Sequence, residues 1–164
     1  MPDGPVEAMY SVDTNAFMDW QARYYPTDDF KSLAAQLNGL VAVGRIRAAA
    51  LVREEIDAVG TPELMGWAKS NADVFVPTQD LLADALAIQN QFPGLRDPKA
   101  EHEEADGYVV ALARLRDGIV VTQETPAAEK NRPRRTHFIP DVCRELGVPC
   151  ISLLGLMRRE KWAL

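Results

Sequence analysis

Two acidic residues follow segments that are predicted to form buried strands. Asp13 comes directly after the short segment 9–12, and Glu124 comes two residues after the segment 119–122. Open α/β sheets bind ligands in the crevice beyond the carboxyl ends of their strands, so we expect both carboxylates at that edge. The alternatives are local. Asp13 can simply cap the following helix, and Glu124 can be an ordinary turn residue on a surface loop.

Two further acids lie on predicted helices. Glu55 lies beside an apolar helix face, because its neighbours three and four positions away are Leu51, Val52, Ala58 and Val59. Asp106 stands where a later helix becomes apolar, and the adjacent Gly107 would let another group approach closely. Alternatively, Glu55 is a boundary residue whose stem covers the core while its carboxylate reaches water. The acids that begin the later helix can also simply complement its dipole.

Hydroxyl and basic side chains lie close to these acids in the sequence. Thr122 is placed to orient a water or a ligand beside Glu124, and a run of basic residues comes soon after it: Lys130, Arg132, Arg134 and Arg135. A local basic patch can attract a polyanion even though the net charge is −6. Arg23, next to two tyrosines, could add a cation and stacking surfaces. The alternatives are a solvated loop and aromatic residues buried in the core.

Composition is that of one globular domain spanning residues 1–164, with 47% hydrophobic and 26% charged residues. No apolar run approaches the roughly 18 residues that span a membrane. The first eight residues carry two acids and no base, which is the wrong charge for a secretory signal, so we expect a cytoplasmic protein. Cys143 and Cys150 match no zinc-binding spacing and are predicted to be buried free thiols.

Predicted strands and helices alternate along the chain. We expect strands near residues 9–12, 45–48, 74–77, 119–122 and 148–151. We expect helices at 14–24, after a cap at Thr27 or Asp28 up to Gly44, at 50–59, from Thr61, at 79–91, from Glu103 to about 117, at 141–146 and at 153–161. In the helix at 79–91, the residues at helical spacing are Leu82, Ala85, Leu86 and Gln89. This alternation predicts a three-layer α/β/α fold with a central parallel sheet of four to five strands.

Four short motifs, taken in order, resemble a known family. They are Val12-Asp13-Thr14-Asn15 and the segments 52–56, 105–113 and 120–124. Together they resemble the PIN domain, the VapC-like ribonuclease superfamily. The segments 20–26, 67–69, 139–143 and 147–150 are similar to a less characterised PIN-like family.

The resemblance implies that Asp13, Glu55, Asp106 and Glu124 gather at the carboxyl edge of the sheet around Mg²⁺ or Mn²⁺. This agrees with the preference of hard divalent cations for carboxylate oxygens. Asp13 and Asp106 would bind the metal directly, and Glu55 would complete the cluster. Glu124 stands where the family pattern has Asp, so it is expected to act through water. Asn15 and Thr122 would orient ligands or water.

The implied activity is metal-dependent endoribonuclease chemistry that leaves a 5′-phosphate and a 3′-hydroxyl. Lys130, Arg132, Arg134 and Arg135, with Arg23, would hold the RNA. The resemblance also implies a toxin of a toxin–antitoxin pair, silenced by a cognate antitoxin that often inserts Arg or Lys among the acids, and a possible homodimer. Two alternatives stay open. One is a PIN-like protein- or RNA-binding module without turnover. The other is a phosphatase of the haloacid dehalogenase kind with Asp13 as nucleophile, a class that requires an Asp where this chain has Asn15.

Overall fold

A parallel sheet of five short strands forms the centre of this computed structural model, which describes residues 7–101, 103–133 and 135–162. The strands lie in the order β3-β2-β1-β4-β5. They are β1 (Tyr10–Val12), β2 (Ile46–Ala49), β3 (Phe75–Val76), β4 (Ile119–Val121) and β5 (Cys150–Ile151). The chain extends the sheet to one side of β1 as far as β3 and then to the other side through β4. The topological switch point therefore lies between β1 and β4, whose carboxyl ends open a crevice.

Eight α-helices flank the sheet within the described residues. They are α1 (Thr14–Met18), α2 (Lys31–Ala42), α3 (Ala50–Val59), α4 (Pro62–Ser70), α5 (Thr78–Gln91), α6 (Asp106–Leu115), α7 (Ile139–Leu146) and α8 (Leu153–Arg159). The predicted three-layer α/β/α class is confirmed, and all five predicted strands are present. In the parts of the chain that the structure describes, no helix is long and apolar enough to cross a membrane.

Burial explains why the centre of the fold is so apolar. Every residue of β1 and β4 is buried, as expected for parallel strands covered on both faces. Helix α6 is buried from Gly107 to Ala113, on all sides rather than along one stripe. A Cβ on Gly107 would lie 3.0 Å from the Gln89 side chain of α5, so glycine permits this close packing of the two helices. Asp106 is thereby fixed at the start of the most buried helix.

Several predicted boundaries and caps are wrong. The predicted helix at 14–24 is α1 followed by a π-helical turn, Asp19–Arg23. Neither Thr27 nor Asp28 caps α2, which begins at Lys31 after a turn closed by the Pro26 carbonyl and has no side-chain cap. The helix expected from Glu103 begins only at Asp106. The predicted caps at Thr61 and Gly44 are correct, since Thr61 accepts a hydrogen bond from the Leu64 amide and Gly44 has a φ of +76°.

The buried face of helix α5 does not include two leucines that fit its helical repeat. Leu81, Ala85, Ile88 and Gln89 are buried, whereas Leu82 and Leu86 are 43% and 44% exposed. Leu81 with Ala85 and Ile88 fits a helical repeat, and so does Leu82 with Leu86, so the repeat alone could not distinguish the buried face. Cys143 and Cys150 are free thiols as predicted, with Cys143 buried and Cys150 half-buried.

At the amino edge of the sheet, a half-buried ion pair anchors the end of α8. Glu160 accepts hydrogen bonds from Arg45 Nη1 at 3.1 Å and Nη2 at 2.8 Å, and a short one from the Tyr10 hydroxyl. Burial raises the pKa of Tyr10 to about 12, and its bond to Glu160 adds to the shift. Burial opposes ionisation of Glu160, but the bonds from Arg45 and Tyr10 outweigh it and lower the Glu160 pKa below its usual range.

We expect Glu160→Gln to reduce the free energy of unfolding by about 2 kcal/mol near neutral pH, because Arg45 loses its charged acceptor. A carboxyl with a lowered pKa stabilises the fold above its unfolded value of about 4, and the contribution disappears as the pH falls through its folded value. Urea unfolding near neutral pH and below about pH 4 should therefore show a difference that shrinks in acid. Glu54→Gln, at an exposed position of α3, is the control. An equal loss in both variants would contradict the anchoring role of Glu160.

Candidate metal centre

Three carboxylates from three separate elements converge at the carboxyl edge of the sheet. Asp13 directly follows β1, Asp106 is the first residue of α6, and Glu124 lies on the turn after β4. One ligand oxygen of each lies within 4.8 Å of the others, so the three form a group that could hold a metal ion. Asp13 is only 3% exposed, and the other two are half-buried. The structure thus brings together three of the four acids singled out from the sequence.

Asp13 is both a helix cap and a member of this cluster. Its Oδ1 accepts a hydrogen bond from the Thr14 amide at 2.8 Å, and its Oδ2 accepts one from the Thr122 hydroxyl at 2.8 Å. Its own amide donates to the Val121 carbonyl at 2.9 Å, which ties it to the end of β4. The two interpretations of Asp13 are therefore compatible, and the cap fixes the carboxylate in place.

Glu124 is held at the start of α7. Its Oε1 accepts a hydrogen bond from the Ile139 amide at 3.1 Å, and the Glu124 amide donates to the Thr122 hydroxyl at 3.1 Å. A helix N-terminus favours a negative charge nearby. Glu124 was predicted as one of the metal-binding acids, with a water-bridged role because of its additional methylene. Its carboxylate oxygen belongs to the same group as those of Asp13 and Asp106. The longer side chain does not keep it away from the cluster.

Glu55 borders the cluster and is not one of the three grouped acids. Its Oε1 accepts a hydrogen bond from the Thr14 hydroxyl at 2.5 Å, and its Oε2 accepts one from the Ala105 amide at 3.3 Å. Thr14 and Ala105 are the neighbours in sequence of Asp13 and Asp106. The contacts of Glu55 therefore link the two segments that carry these aspartates.

Asn15 and Thr122 contact the protein groups that surround the acids. Thr122 donates to Asp13, and Asn15 Oδ1 accepts a hydrogen bond from the Gln123 amide at 2.9 Å. Asn15 therefore holds the backbone between Thr122 and Glu124. These contacts fit the expected orienting role of both residues.

Asp19 and Gln123 belong to the same hydrogen-bond network around the acids, but they were not predicted as site residues from the sequence. Asp19 is buried, and its Oδ2 accepts a hydrogen bond from Gln123 Nε2 at 2.8 Å. Gln123 Oε1 accepts one from the Leu153 amide at the start of α8, at 2.8 Å. The available signal was the position of Asp19 four residues after Asn15, which places both on one helix face.

Arg135 is the largest departure from the sequence expectations. Its Nη1 donates to Asp106 Oδ2 at 2.6 Å and to the Leu95 carbonyl at 2.8 Å, and its Nη2 lies 3.5 Å from Glu124 Oε2. Its Cζ lies 4.5 Å from the centre of the Phe138 ring. The alternative of a solvated loop side chain is wrong for Arg135, which is 14% exposed and paired with the acids. Its contact with RNA stays a prediction.

The other predicted cations have different surroundings. Arg132 is exposed, and Arg134 lies outside the described residues. Lys130 Nζ contacts the Thr125 hydroxyl at 2.9 Å. Arg23 is 58% exposed and forms an ion pair with Asp19 Oδ1 at 3.2 Å.

The cluster carries more negative charge than it can easily hold. Burial raises the pKa of Asp13 to about 7, and Glu124 and Glu55 add to the shift. Burial also raises the pKa of Asp106 well above its usual range, with help from Glu124 and Asp13, although Arg135 opposes this. A divalent cation would relieve the repulsion between these carboxylates, and hard cations favour such oxygens. The residues present therefore fit a bound metal ion.

A surface cleft of about 270 Å³ lies beside Glu124, lined also by Thr122, Gln123, Pro140 and Ser152. Two larger clefts, of about 460 and 450 Å³, are lined by none of the three clustered acids. Of these three clefts, the smallest adjoins the clustered acids.

We expect Asp13→Asn to stabilise the metal-free protein. Since the folded pKa of Asp13 is raised to about 7, from an unfolded value of about 4, ionisation of Asp13 destabilises the fold as the pH rises between these values. The variant keeps an oxygen to cap Thr14 and should gain on the order of 2 kcal/mol at about pH 8, and less at about pH 5.

Urea unfolding in EDTA at both pH values measures this difference. Asp57→Asn, at an exposed position of α3, is the matched control. An Asp13→Asn variant that is less stable than the wild type at the higher pH would mean that the lost hydrogen bond outweighs the lost repulsion.

Comparison with known proteins identifies the family of the chain. No curated protein matches the chain. Residues 10–164 match DUF4411, which is described as a domain of unknown function. The matched range includes the three clustered acids, Glu55 and Arg135. Because it covers nearly all of the 164 residues, the chain belongs to the DUF4411 family.

Proposed function

We propose that this protein is a metal-dependent endoribonuclease that hydrolyses RNA phosphodiester bonds. The observation that carries the proposal is the convergence of Asp13, Asp106 and Glu124 within 4.8 Å, at the carboxyl edge of a parallel sheet. This edge, beside the switch point between β1 and β4, is where α/β proteins bind ligands. The reaction class comes from the resemblance to PIN-domain ribonucleases, which depends on the same acids.

The donor set supports Mg²⁺ or Mn²⁺ as the cofactor. All three grouped residues are carboxylates, and oxygen-only sites suit these hard cations better than zinc or copper. A cation held there would lower the pKa of a bound water and offset charge on the phosphate.

The chain's own residues hold the acids in a fixed arrangement. Thr122 and the Thr14 amide fix both oxygens of Asp13. The Ile139 amide fixes one oxygen of Glu124 and leaves the other directed toward Arg135. Glu55, through Thr14 and Ala105, acts as a positioning residue rather than a ligand in this proposal.

Basic side chains near the turn after β4 support a polyanionic substrate. Lys130 contacts Thr125, the residue after Glu124, and Arg132 is exposed on the same segment. Arg23 is linked to Gln123 through Asp19. Cations on both sides of this turn would contact the RNA backbone and make binding depend on salt.

The same resemblance supports a role as the toxin of a toxin–antitoxin pair. A cognate antitoxin would then bind over the acids, and a homodimer is the expected assembly. The most direct check is whether a small protein encoded beside this one suppresses the cleavage.

A second candidate is a PIN-like protein- or RNA-binding module with little or no turnover. The observation that favours it is Arg135, which already occupies oxygens of Asp106 and Glu124. The two candidates differ in a single property, which is cleavage that requires metal.

We expect purified protein to cleave an end-labelled RNA pool with Mn²⁺ or Mg²⁺ and not with EDTA. Asp13→Asn and Asp106→Asn should each reduce the rate by about two orders of magnitude or more, because each removes a charged metal ligand. Asp57→Asn should cleave like the wild type.

Two results would contradict the proposal. Wild-type protein that binds Mn²⁺ but cleaves neither single-stranded nor structured RNA would favour the binding module. Cleavage that persists in both aspartate variants would place the activity elsewhere.

A further inference from the structure

The strongest unexplained feature of the site is a cation that the chain itself inserts among the acids. Arg135 bonds to Asp106 Oδ2 at 2.6 Å and lies 3.5 Å from Glu124 Oε2. Within the described residues, no other Lys or Arg forms an ion pair with the three clustered carboxylates. The guanidinium thus supplies the only such counter-charge there.

The surroundings of Arg135 show that this position is built into the fold. The Leu95 carbonyl accepts a hydrogen bond from Nη1 at 2.8 Å, and the Phe138 ring lies under the guanidinium with Cζ 4.5 Å from its centre. Both contacts hold the guanidinium beside the acids independently of their charge. The side chain is 14% exposed, in contrast to the exposed Arg132 on the same segment.

The guanidinium neutralises only part of the negative charge of the three clustered carboxylates. It contacts Asp106 and Glu124, whereas the hydrogen bonds of Asp13 come from Thr14 and Thr122. One positive charge therefore faces three carboxylates, and Asp13 has no charged partner among the described residues. A divalent cation would carry twice the charge and could be shared by all three.

We propose that Arg135 is a built-in competitor of the divalent cation, so that metal loading breaks its contacts with Asp106 and Glu124. This inference rests on the metal site of the proposed function but not on RNA cleavage. Two cations cannot share the same carboxylate oxygens without strong mutual repulsion. The cluster is therefore partly neutralised without metal, and the metal affinity is lower than three free acids would give.

The contacts with Leu95 and Phe138 do not involve the acids. They orient the guanidinium toward the acids in the metal-free site. By linkage, metal binding and the Arg135 contacts weaken each other by the same factor.

The test is the Mn²⁺ affinity of the full-length protein, measured by titration with electron paramagnetic resonance of free Mn²⁺. We expect Arg135→Gln to bind Mn²⁺ about 10-fold or more tightly than the wild type, within the range of ordinary coupling between sites. Arg116→Gln removes the same charge from an exposed position at the end of α6 and should change affinity by no more than about twofold. Equal or weaker binding by Arg135→Gln would overturn the proposal.

A measurement on the wild type covers the case in which Arg135→Gln fails to fold. Phenylglyoxal modifies accessible arginines, and peptide mass spectrometry can follow Arg135 with and without saturating Mn²⁺. We expect Arg135 to react faster when Mn²⁺ is bound, while Arg116 reacts equally in both states. Unchanged protection of Arg135 at saturating Mn²⁺ would overturn the proposal, as would the absence of Mn²⁺ binding to any variant.

The outcomes separate this inference from the proposed function. Tighter Mn²⁺ binding by Arg135→Gln without any RNA cleavage would support the competitor and remove the nuclease. Metal-dependent cleavage with unchanged Mn²⁺ affinity would support the nuclease and remove the competitor.

Discussion

Mutual repulsion among three carboxylates within 4.8 Å is the constraint on which the rest of this site depends. The fold creates it, because Asp13 and Glu124 follow the carboxyl ends of neighbouring strands and α6 starts beside them at Asp106. The surrounding structure then compensates the charge in two ways. The Thr122 hydroxyl and the Thr14 and Ile139 amides donate hydrogen bonds, and Arg135 contributes a positive charge. Burial and the repulsion that remains raise the pKa of Asp13 to about 7 and that of Asp106 above its usual range.

Carboxylates contact a guanidinium group at both edges of the sheet, but the number of carboxylates differs. At the amino edge, one carboxylate faces one guanidinium and one phenol, and the pKa of Glu160 is lowered. At the carboxyl edge, three carboxylates face one guanidinium, and two aspartate pKa values are raised. The first arrangement stabilises the fold, and the second costs stability. Clusters of the second kind persist where a ligand repays the cost, which is why perturbed carboxylates are typical of functional sites.

Local patterns in the sequence predicted the strands and helices, whereas contacts between residues far apart in the chain could not be predicted. Strand and helix alternation predicted the sheet, and the junction positions of Asp13 and Glu124 predicted that both lie at its carboxyl edge. The addition of Asp106 to this group came from the family resemblance. Helical spacing could not choose Leu81 over Leu82 as the buried residue of α5, because neighbouring elements decide that. Arg135 lies 29 residues from Asp106, and nothing in a run of basic residues indicates which one turns inward.

The segment that carries Arg135 is closed at its base by two acids. Asp141 Oδ2 accepts hydrogen bonds from the Ala127 amide at 3.0 Å and the Phe138 amide at 2.8 Å, so it joins the two ends of this segment. Glu124 makes the same kind of link, through the Ile139 amide and Arg135. Loss of the Arg135 contacts would leave the bonds of Asp141 and the Ile139 amide intact. The geometry therefore allows a change of side-chain position at Arg135 without unfolding of the segment, which makes exchange between a guanidinium and a metal ion a local event.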